Sequence, residues 1–272
     1  LINQKAEEAA SVAAGCLAAR LRTHGAQIGV ILGTGWGDKL QLEDQVSVPF
    51  KDIMGFSELP KLEGHARRFV SGTCAGRKVV ALSGRVHLNE APADPEIYCM
   101  VRLQTETLMQ VGIRKLIVTC AAGSLPGSNI DVGTLVIIDG FVSLYAPDMP
   151  LYAGEFCSPD DALSPVLREV ALGNAKNYPG KIVSGGYAMM RGPFFEGRRY
   201  DKQALAASGA SIVGMSTLPE ACIAALYGAE VLALAFVTND SVETHSHETN
   251  LARGREASEG LGGYLGRLIE QI

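Results

Sequence analysis

The chain has 272 residues, 47% of them apolar and 19% charged, and its 24 Lys and Arg against 29 Asp and Glu leave a formal net charge of −5. That length fits one large domain or two small ones, and the acidic balance argues against a sequence-independent nucleic-acid binder, which needs a basic surface. No apolar run approaches the roughly 18 residues of a membrane span, and Glu7 and Glu8 precede the Ala-rich stretch, unlike a secretory or Arg-rich transit leader.

An Ala-rich amphipathic helix is predicted over residues 4 to 22, with Leu17 and Leu21 one turn apart, ending near Gly25. Short β-branched runs follow at Ile28 to Leu32, Lys78 to Leu82, Lys115 to Thr119, Thr134 to Ile138, Ile182 to Met190, Ile212 to Met215 and Val231 to Thr238. Nearly continuous apolar strands of this kind suit a sheet covered on both faces. Between them lie helical patterns from Asp94 to Val111, after Glu196, from Leu218 to Tyr227 with Pro219 in the first turn, and from about His247 to Ile272. Strands alternating with helices imply an α/β fold whose central twisted, mixed sheet is mostly parallel and surrounded by helices. Neither a repeat nor a Pro/Ser-rich linker interrupts it, so residues 1–272 read as one domain. Cys16, Cys74, Cys99, Cys120, Cys157 and Cys222 are scattered without a C-x-x-C pair, which fits reduced thiols filling core space and a cytoplasmic protein.

Polar or Gly-rich sequence follows strand after strand: Gly33-Thr34-Gly35, Gly84-Arg85-Val86-His87, Cys120-Ala121-Ala122-Gly123, Met215-Ser216-Thr217 and Thr238-Asn239-Asp240. Ligands of open α/β sheets bind outside the carboxyl ends of the strands, so these tips define one candidate crevice. Glycines let backbone approach an anion, and N–H groups with a hydroxyl can hold phosphate. Gly33-Thr34-Gly35-Trp36-Gly37 has that character, although it is neither a Walker loop nor a full dinucleotide fingerprint, since Asp38 breaks the pattern; a plain turn remains open. Gly64-His65-Ala66-Arg67-Arg68 and Arg85 with His87 add forked and imidazole donors suited to phosphate, so the site can be positive in an acidic molecule.

Phe195 beside Glu196 pairs an aromatic face for a planar ring with a carboxylate for ring N–H groups; the alternative is a core aromatic and an acidic helix start. Ser216-Thr217-Leu218-Pro219-Glu220 also reads as ordinary helix-start chemistry. Asn239 can read a purine edge, having both donor and acceptor, or simply turn the chain. His245 and His247 near Asp240 and Glu243 raise a metal site, but the spacing is not a zinc signature, and no metal is assigned. There is no G-x-S-x-G elbow and no cysteine beside a histidine. Anion-holding and ring-reading groups are present; a protein nucleophile is not.

Taken in order, these motifs resemble the trimeric purine nucleoside phosphorylases. The resemblance is carried by Gly33-Thr34-Gly35-Trp36-Gly37, Gly64-His65, Gly84-Arg85-Val86-His87-Leu88-Asn89-Glu90, Thr119-Cys120-Ala121-Ala122-Gly123-Ser124-Leu125, Gly192-Pro193-Phe194-Phe195-Glu196, Gly214-Met215-Ser216-Thr217-Leu218-Pro219-Glu220, Thr238-Asn239 and Ser246-His247-Glu248, from about residue 4 to 272. It implies a homotrimer that reversibly phosphorolyses purine nucleosides, with inorganic phosphate as co-substrate and no cofactor. By the resemblance Thr34, His65, Arg85, His87, Ala121 and Ser216 hold phosphate. Glu196 and Asn239 bind the purine edge and activate the leaving group, and His87 and Arg85 orient the phosphate. Phe195 packs on the base, Met215 lies under the ribose, His247 meets its 5′-hydroxyl, and Tyr152 is the candidate aromatic from a neighbouring subunit. Asn89 stands where the family usually has a ribose-contacting Tyr, Cys120 replaces a usual Asn, and Gly197-Arg198-Arg199-Tyr200 replaces the usual run after Glu196. Asn at the base-reading position suits a 6-oxopurine such as inosine or guanosine. The rivals are a methylthioadenosine phosphorylase, which reads a 6-amino purine; a hydrolase on the same scaffold; a catalytically inactive purine-nucleoside-binding protein; and, least consistent with the broken glycine pattern, a nicotinamide-dependent dehydrogenase.

Overall fold

A computed structural model describes residues 2–36, 40–58, 66–91, 93–192, 195–241 and 246–272, the side chains of residues 247 and 258 excepted. In chain order the elements are α1 (Gln4–Ala18), β1 (Ile28–Leu32), β2 (Glu43–Pro49), β3 (Arg68–Cys74), β4 (Arg77–Ser83), α2 (Pro95–Gln110), β5 (Lys115–Ser124), β6 (Leu135–Val142), α3 (Pro165–Gly173), β7 (Ile182–Met189), α4 (Asp201–Ala207), β8 (Ile212–Gly214), α5 (Leu218–Leu226), β9 (Glu230–Asn239) and α6 (His247–Gln271). Local chemistry starts several of the helices. Asn3, Asp94, Ser164 and Ser246 each accept first-turn N–H groups, and Pro95 and Pro165 occupy the first turns that follow.

Among the described residues the strands form one sheet ordered β2-β3-β4-β1-β5-β8-β7-β6-β9, and β5 also pairs with β9, so the second half closes into a ring. β4, β1, β5 and β9 run parallel. The sheet is mixed and mostly parallel, as expected, with β6-β7-β8 also parallel; the antiparallel pairings are the β2-β3-β4 meander, β6 with β9, and β8 with the end of β5. β2 and β3 were not anticipated from the sequence: β2 is a largely exposed edge strand reading Glu-Asp-Gln-Val-Ser-Val-Pro, without the apolar run that marks its neighbours.

Two apolar layers hold the sheet. β1 shows why its five residues are all buried: Ile31 faces the layer of α1, α2 and α5, whereas Ile28, Val30 and Leu32 face α6. Leu261, Tyr264, Leu265, Leu268 and Ile269 of α6 complete that second layer, and each such side chain contributes about 1.5–3 kcal/mol by leaving water. Gly35 is required where α6 crosses the tip of β1. Its φ is +84°, and a Cβ there would stand 2.7 Å from Cα of Gly254. The parallel set therefore releases its tips at one edge of the sheet. β8 enters that region from the opposite direction, with Val213 registered against Gly123.

Candidate active site

These tips line one cavity of about 470 Å³. Thr34 comes from the turn after β1, Arg85, His87 and Asn89 from the segment after β4, Ala121 from β5, and Met215 and Ser216 from the segment after β8. Asn239 ends β9, and Phe195 with Glu196 comes from the stretch between β7 and α4. The motifs thus meet as expected, although β8 delivers its pair against the direction of β5.

Thr34, Arg85, His87, Ala121 and Ser216, the described groups assigned to an anion, all line this cavity. Thr119 ties the tips together: its hydroxyl accepts from the Gly33 N–H at 3.0 Å and donates to the Ile31 carbonyl at 2.9 Å. The Trp36 indole N–H donates to the Cys120 carbonyl at 3.0 Å. Gly33 packs directly on Thr119 and Cys120 backbone, so the glycine serves close packing of two strands as well as any ligand. Arg85 is 1% exposed; its Nη1 donates to Glu220 Oε1 at 2.8 Å and its Nη2 to the Thr119 carbonyl. Glu220 balances the Arg85 charge. Glu220 sits in the first turn of α5, as its helix-start reading has it, and serves as a buried counter-ion as well. Thr217 makes no side-chain cap to α5 and holds φ at +79°, a strained conformation beside Ser216. The Ser216 N–H donates to the Tyr187 hydroxyl at 3.2 Å, leaving its own hydroxyl near Thr217 Oγ1 at 3.3 Å. Burial holds the Tyr187 phenol well above its ordinary range, so it stays a neutral hydroxyl. Burial likewise pushes the Cys120 thiol up against the opposing pull of Arg85. Thus the residue that replaces the family's Asn is an uncharged thiol in the wall.

The geometry of Asn239 follows from a bulge. β9 shifts register so that Ala122 faces Val237 and Gly123 faces Asn239, leaving Thr238 as the extra residue. The Thr238 hydroxyl lies 3.3 Å from Asn239 Oδ1, and Nη1 of Arg253 on α6 donates to the Thr238 carbonyl at 2.5 Å. A Cβ on residue 123 would fall 2.5 Å from Asn239 Nδ2, so only glycine leaves room for the amide. Asn239 is 2% exposed, and its Nδ2 has no hydrogen-bond partner among the described residues. A buried donor without a partner is costly unless a ligand completes it. Glu196 is also buried, and it does not start a helix: α4 begins at Asp201, whose carboxylate accepts from the Gly197 N–H at 2.7 Å. Lys202 Nζ stands 3.6 Å from Glu196 Oε1. An acceptor and an open donor therefore line the same cavity, with the half-exposed Phe195 beside them.

The remaining expected residues fall elsewhere. Tyr152 does not line this cavity; it lies over Arg102, 4.8 Å from guanidinium to ring centroid, in a separate groove with Tyr98 and Met149. Asn89 reaches the wall and packs on Gly192. His65, His245, Gly37-Asp38, and Pro193-Phe194 lie outside the described residues, as does the side chain of His247, whose backbone opens α6. Sequence reasoning missed Asn250, which lines the cavity from α6 and whose Oδ1 has no partner among the described residues. Its signal was position: it stands three residues after His247, on the same helix face. Glu90 was quoted only inside a motif, yet it lines the cavity, accepts from the His87 N–H at 2.9 Å and pairs with Arg67. Burial raises its carboxyl despite those two partners.

Comparison with known proteins places this geometry. Residues 27–270 match the Phosphorylase superfamily. The chain is 32% identical to the purine nucleoside phosphorylase of Mycobacterium tuberculosis, over 98% of this chain and 97% of that protein. Isoform 2 of purine nucleoside phosphorylase from Schistosoma mansoni, solved with cytosine and ribose-1-phosphate, superimposes with a TM-score of 0.85 at 27% identity, covering 97% of this chain and 96% of that one. The inosine complex of the Schistosoma mansoni enzyme gives a TM-score of 0.84, also at 27% identity, with the same coverage.

Proposed function

We propose, from the premise that the chain belongs to the purine nucleoside phosphorylases of the phosphorylase superfamily, that it is a pentosyltransferase reversibly phosphorolysing 6-oxopurine nucleosides such as inosine and guanosine. One observation carries the choice of base: the buried Asn239 Nδ2, unpartnered among the described residues, lines the same cavity as the Glu196 carboxylate. A 6-oxopurine offers a carbonyl oxygen that accepts and an N1–H that donates, the complement of that pair.

In this reading phosphate lies among Thr34, Arg85, His87, the Ala121 backbone and Ser216, with His65 as a further donor. The bond from C1′ to the purine nitrogen breaks with its electron pair leaving on the base, and a phosphate oxygen forms the new bond to C1′. The sugar passes through an oxocarbenium-like state that the phosphate anion stabilises, so the protein supplies no nucleophile. Asn239 donates where charge gathers on the purine, and a preorganised donor of that kind is worth about 10²–10³ in rate. Holding phosphate against the sugar removes the entropic cost of a bimolecular encounter. The Arg85–Glu220 pair presents its guanidinium already oriented, so that little side-chain ordering is left for binding. Met215 and Asn89 border the ribose, and His247 reaches its 5′-hydroxyl. A homotrimer with Tyr152 completing a neighbour's ribose site is part of the same proposal.

The test is base release from inosine, guanosine, adenosine and methylthioadenosine, each with and without phosphate. Phosphate-dependent release from inosine and guanosine is expected. Release without phosphate identifies a hydrolase, preference for methylthioadenosine identifies the 6-amino enzyme, and no release from any of them overturns an enzymatic role.

A further inference from the structure

Lys202 is fully buried on the first turn of α4. An ammonium taken from water costs several kcal/mol unless it is paired, and two acceptors account for this one. Its Nζ donates to the Asp240 carbonyl at 3.1 Å and faces Glu196 Oε1 at 3.6 Å. The first is a hydrogen bond; the second lies beyond hydrogen-bond length and acts through charge. These acceptors come from the two segments that frame the base end of the cavity, one ending at Glu196 and one following Asn239 directly. Packing does not require the charge. α4 spans seven residues and its other buried side chain is Leu205. Replacing a buried ion pair by apolar groups is often neutral only when both partners go, whereas an apolar residue at 202 alone leaves the Glu196 charge uncompensated.

We propose that Lys202 is a positioning and specificity-determining residue, which supplies the counter-charge of the Glu196 carboxylate and fastens it to the end of β9, so that the site favours purines bearing a hydrogen on N1. This rests on the proposed function and adds to it the origin of base choice. A carboxylate accepts and cannot donate. The N1–H of a 6-oxopurine therefore meets a matched partner, whereas the bare N1 lone pair of a 6-aminopurine, itself an acceptor, meets a second acceptor. Binding the Asp240 carbonyl with the same ammonium keeps that acceptor at a set distance from the Asn239 donor. Base reading then depends on a side chain that is itself buried behind the cavity lining.

Wild type, K202M, K202R, E196Q and the double variant K202M/E196Q form the test, with kcat and KM measured for inosine, adenosine and phosphate, and thermal unfolding followed in parallel. K202M is expected to lower kcat/KM for inosine about 100-fold, to shrink the inosine-to-adenosine ratio, and to leave the phosphate KM within about threefold; K202R restores part of the loss. In the E196Q background, adding K202M changes inosine kcat/KM by less than about threefold, because the charge it served is already gone. The double variant contains neither buried charge, so the comparison with E196Q survives a K202M protein that fails to fold. Additive losses in the two backgrounds, or an equal fall for inosine and adenosine, overturn the proposal and leave the phosphorylase reading standing. A wild type without phosphate-dependent release from any nucleoside overturns both.

Discussion

Arg85 and Arg102 are both buried arginines held by glutamates, yet their surroundings differ in one respect. Arg102 is saturated: its Nε donates to Glu106 at 2.8 Å, its Nη1 and Nη2 grip Glu155 at 2.5 and 2.8 Å, and Nη1 also reaches the Pro150 carbonyl at 3.2 Å. Glu155 is equally occupied, accepting the N–H groups of Asn3 at 2.6 Å and Tyr152 at 2.8 Å. This cluster ties α2 to the N-terminus and to the loop around Tyr152. Arg85 lines the cavity together with Asn239 and Asn250, and polar atoms of those two asparagines and of its counter-ion Glu220 are incomplete among the described residues. Glu220 Oε2, Asn239 Nδ2 and Asn250 Oδ1 are all buried without a partner. Burial and pairing alone therefore do not identify a functional site. Unfilled hydrogen-bonding capacity marks a site only where it also lines a cavity, since Ser71 Oγ, Thr105 Oγ1 and Arg168 Nε are likewise buried without a partner among the described residues but do not line this one.

The sharpest way to break this contrast is to remove one glutamate charge from each cluster. E155Q leaves Arg102 short of its bidentate counter-ion and is expected to cost about 3–5 kcal/mol of stability, with the inosine-to-adenosine ratio and the phosphate KM unchanged. E220Q strands Arg85 at the edge of an anion site, so a loss of about 1–3 kcal/mol should be partly recovered when phosphate is added, as linkage requires of a ligand that binds only the folded state. Thermal unfolding with and without phosphate reads both. Equal phosphate rescue of the two variants would erase the distinction.

A smaller effect divides the two glutamates of the Arg102 cluster by pH. Burial pushes the Glu155 carboxyl up, but Arg102 and the two N–H donors outweigh it and leave it below the usual value of 4.5. Its folded form thus holds the proton less tightly than the unfolded chain does. The stability it contributes is present above about pH 4.5 and is lost as pH falls through the lower folded value. Glu106, raised by burial against its Arg102 and Tyr227 bonds, has the opposite sign: its contribution is present in acid and fades as pH rises. Denaturant unfolding between pH 3 and 6 should therefore show a loss below about pH 4.5 that E155Q reduces, and an identical acid limb in that variant would contradict the assignment.

Much of this architecture was legible in the sequence wherever a signal was local. β1 was placed to the residue, and the tips after β1, β4, β5 and β9 were identified because glycines and polar residues abruptly end apolar runs. Asn239 and Ser216 were picked out the same way, and Glu196 by its place beside Phe195. What escaped depends on partners distant along the chain. Glu220 reads as an acidic first turn, which it is, and its second role as counter-ion shows only when Arg85, 135 residues away, is placed against it. Lys202 looks like a surface residue of a short helix until Glu196 and Asp240 are both brought to it. The bulge at Thr238 cannot be read from β9 alone, since it exists only in register with Gly123. β2 was missed because an exposed edge strand lacks the apolar pattern that identifies a buried one.

The central claim is that one donor and one acceptor in the cavity read the purine, and N239D tests it most directly because it exchanges the donor for an acceptor at nearly constant volume. The account predicts that kcat/KM for inosine falls about 100-fold or more, while adenosine, whose 6-amino group donates, is lost far less or gains, so that the inosine-to-adenosine ratio drops or inverts. A ratio unchanged from wild type in a folded N239D protein would contradict it.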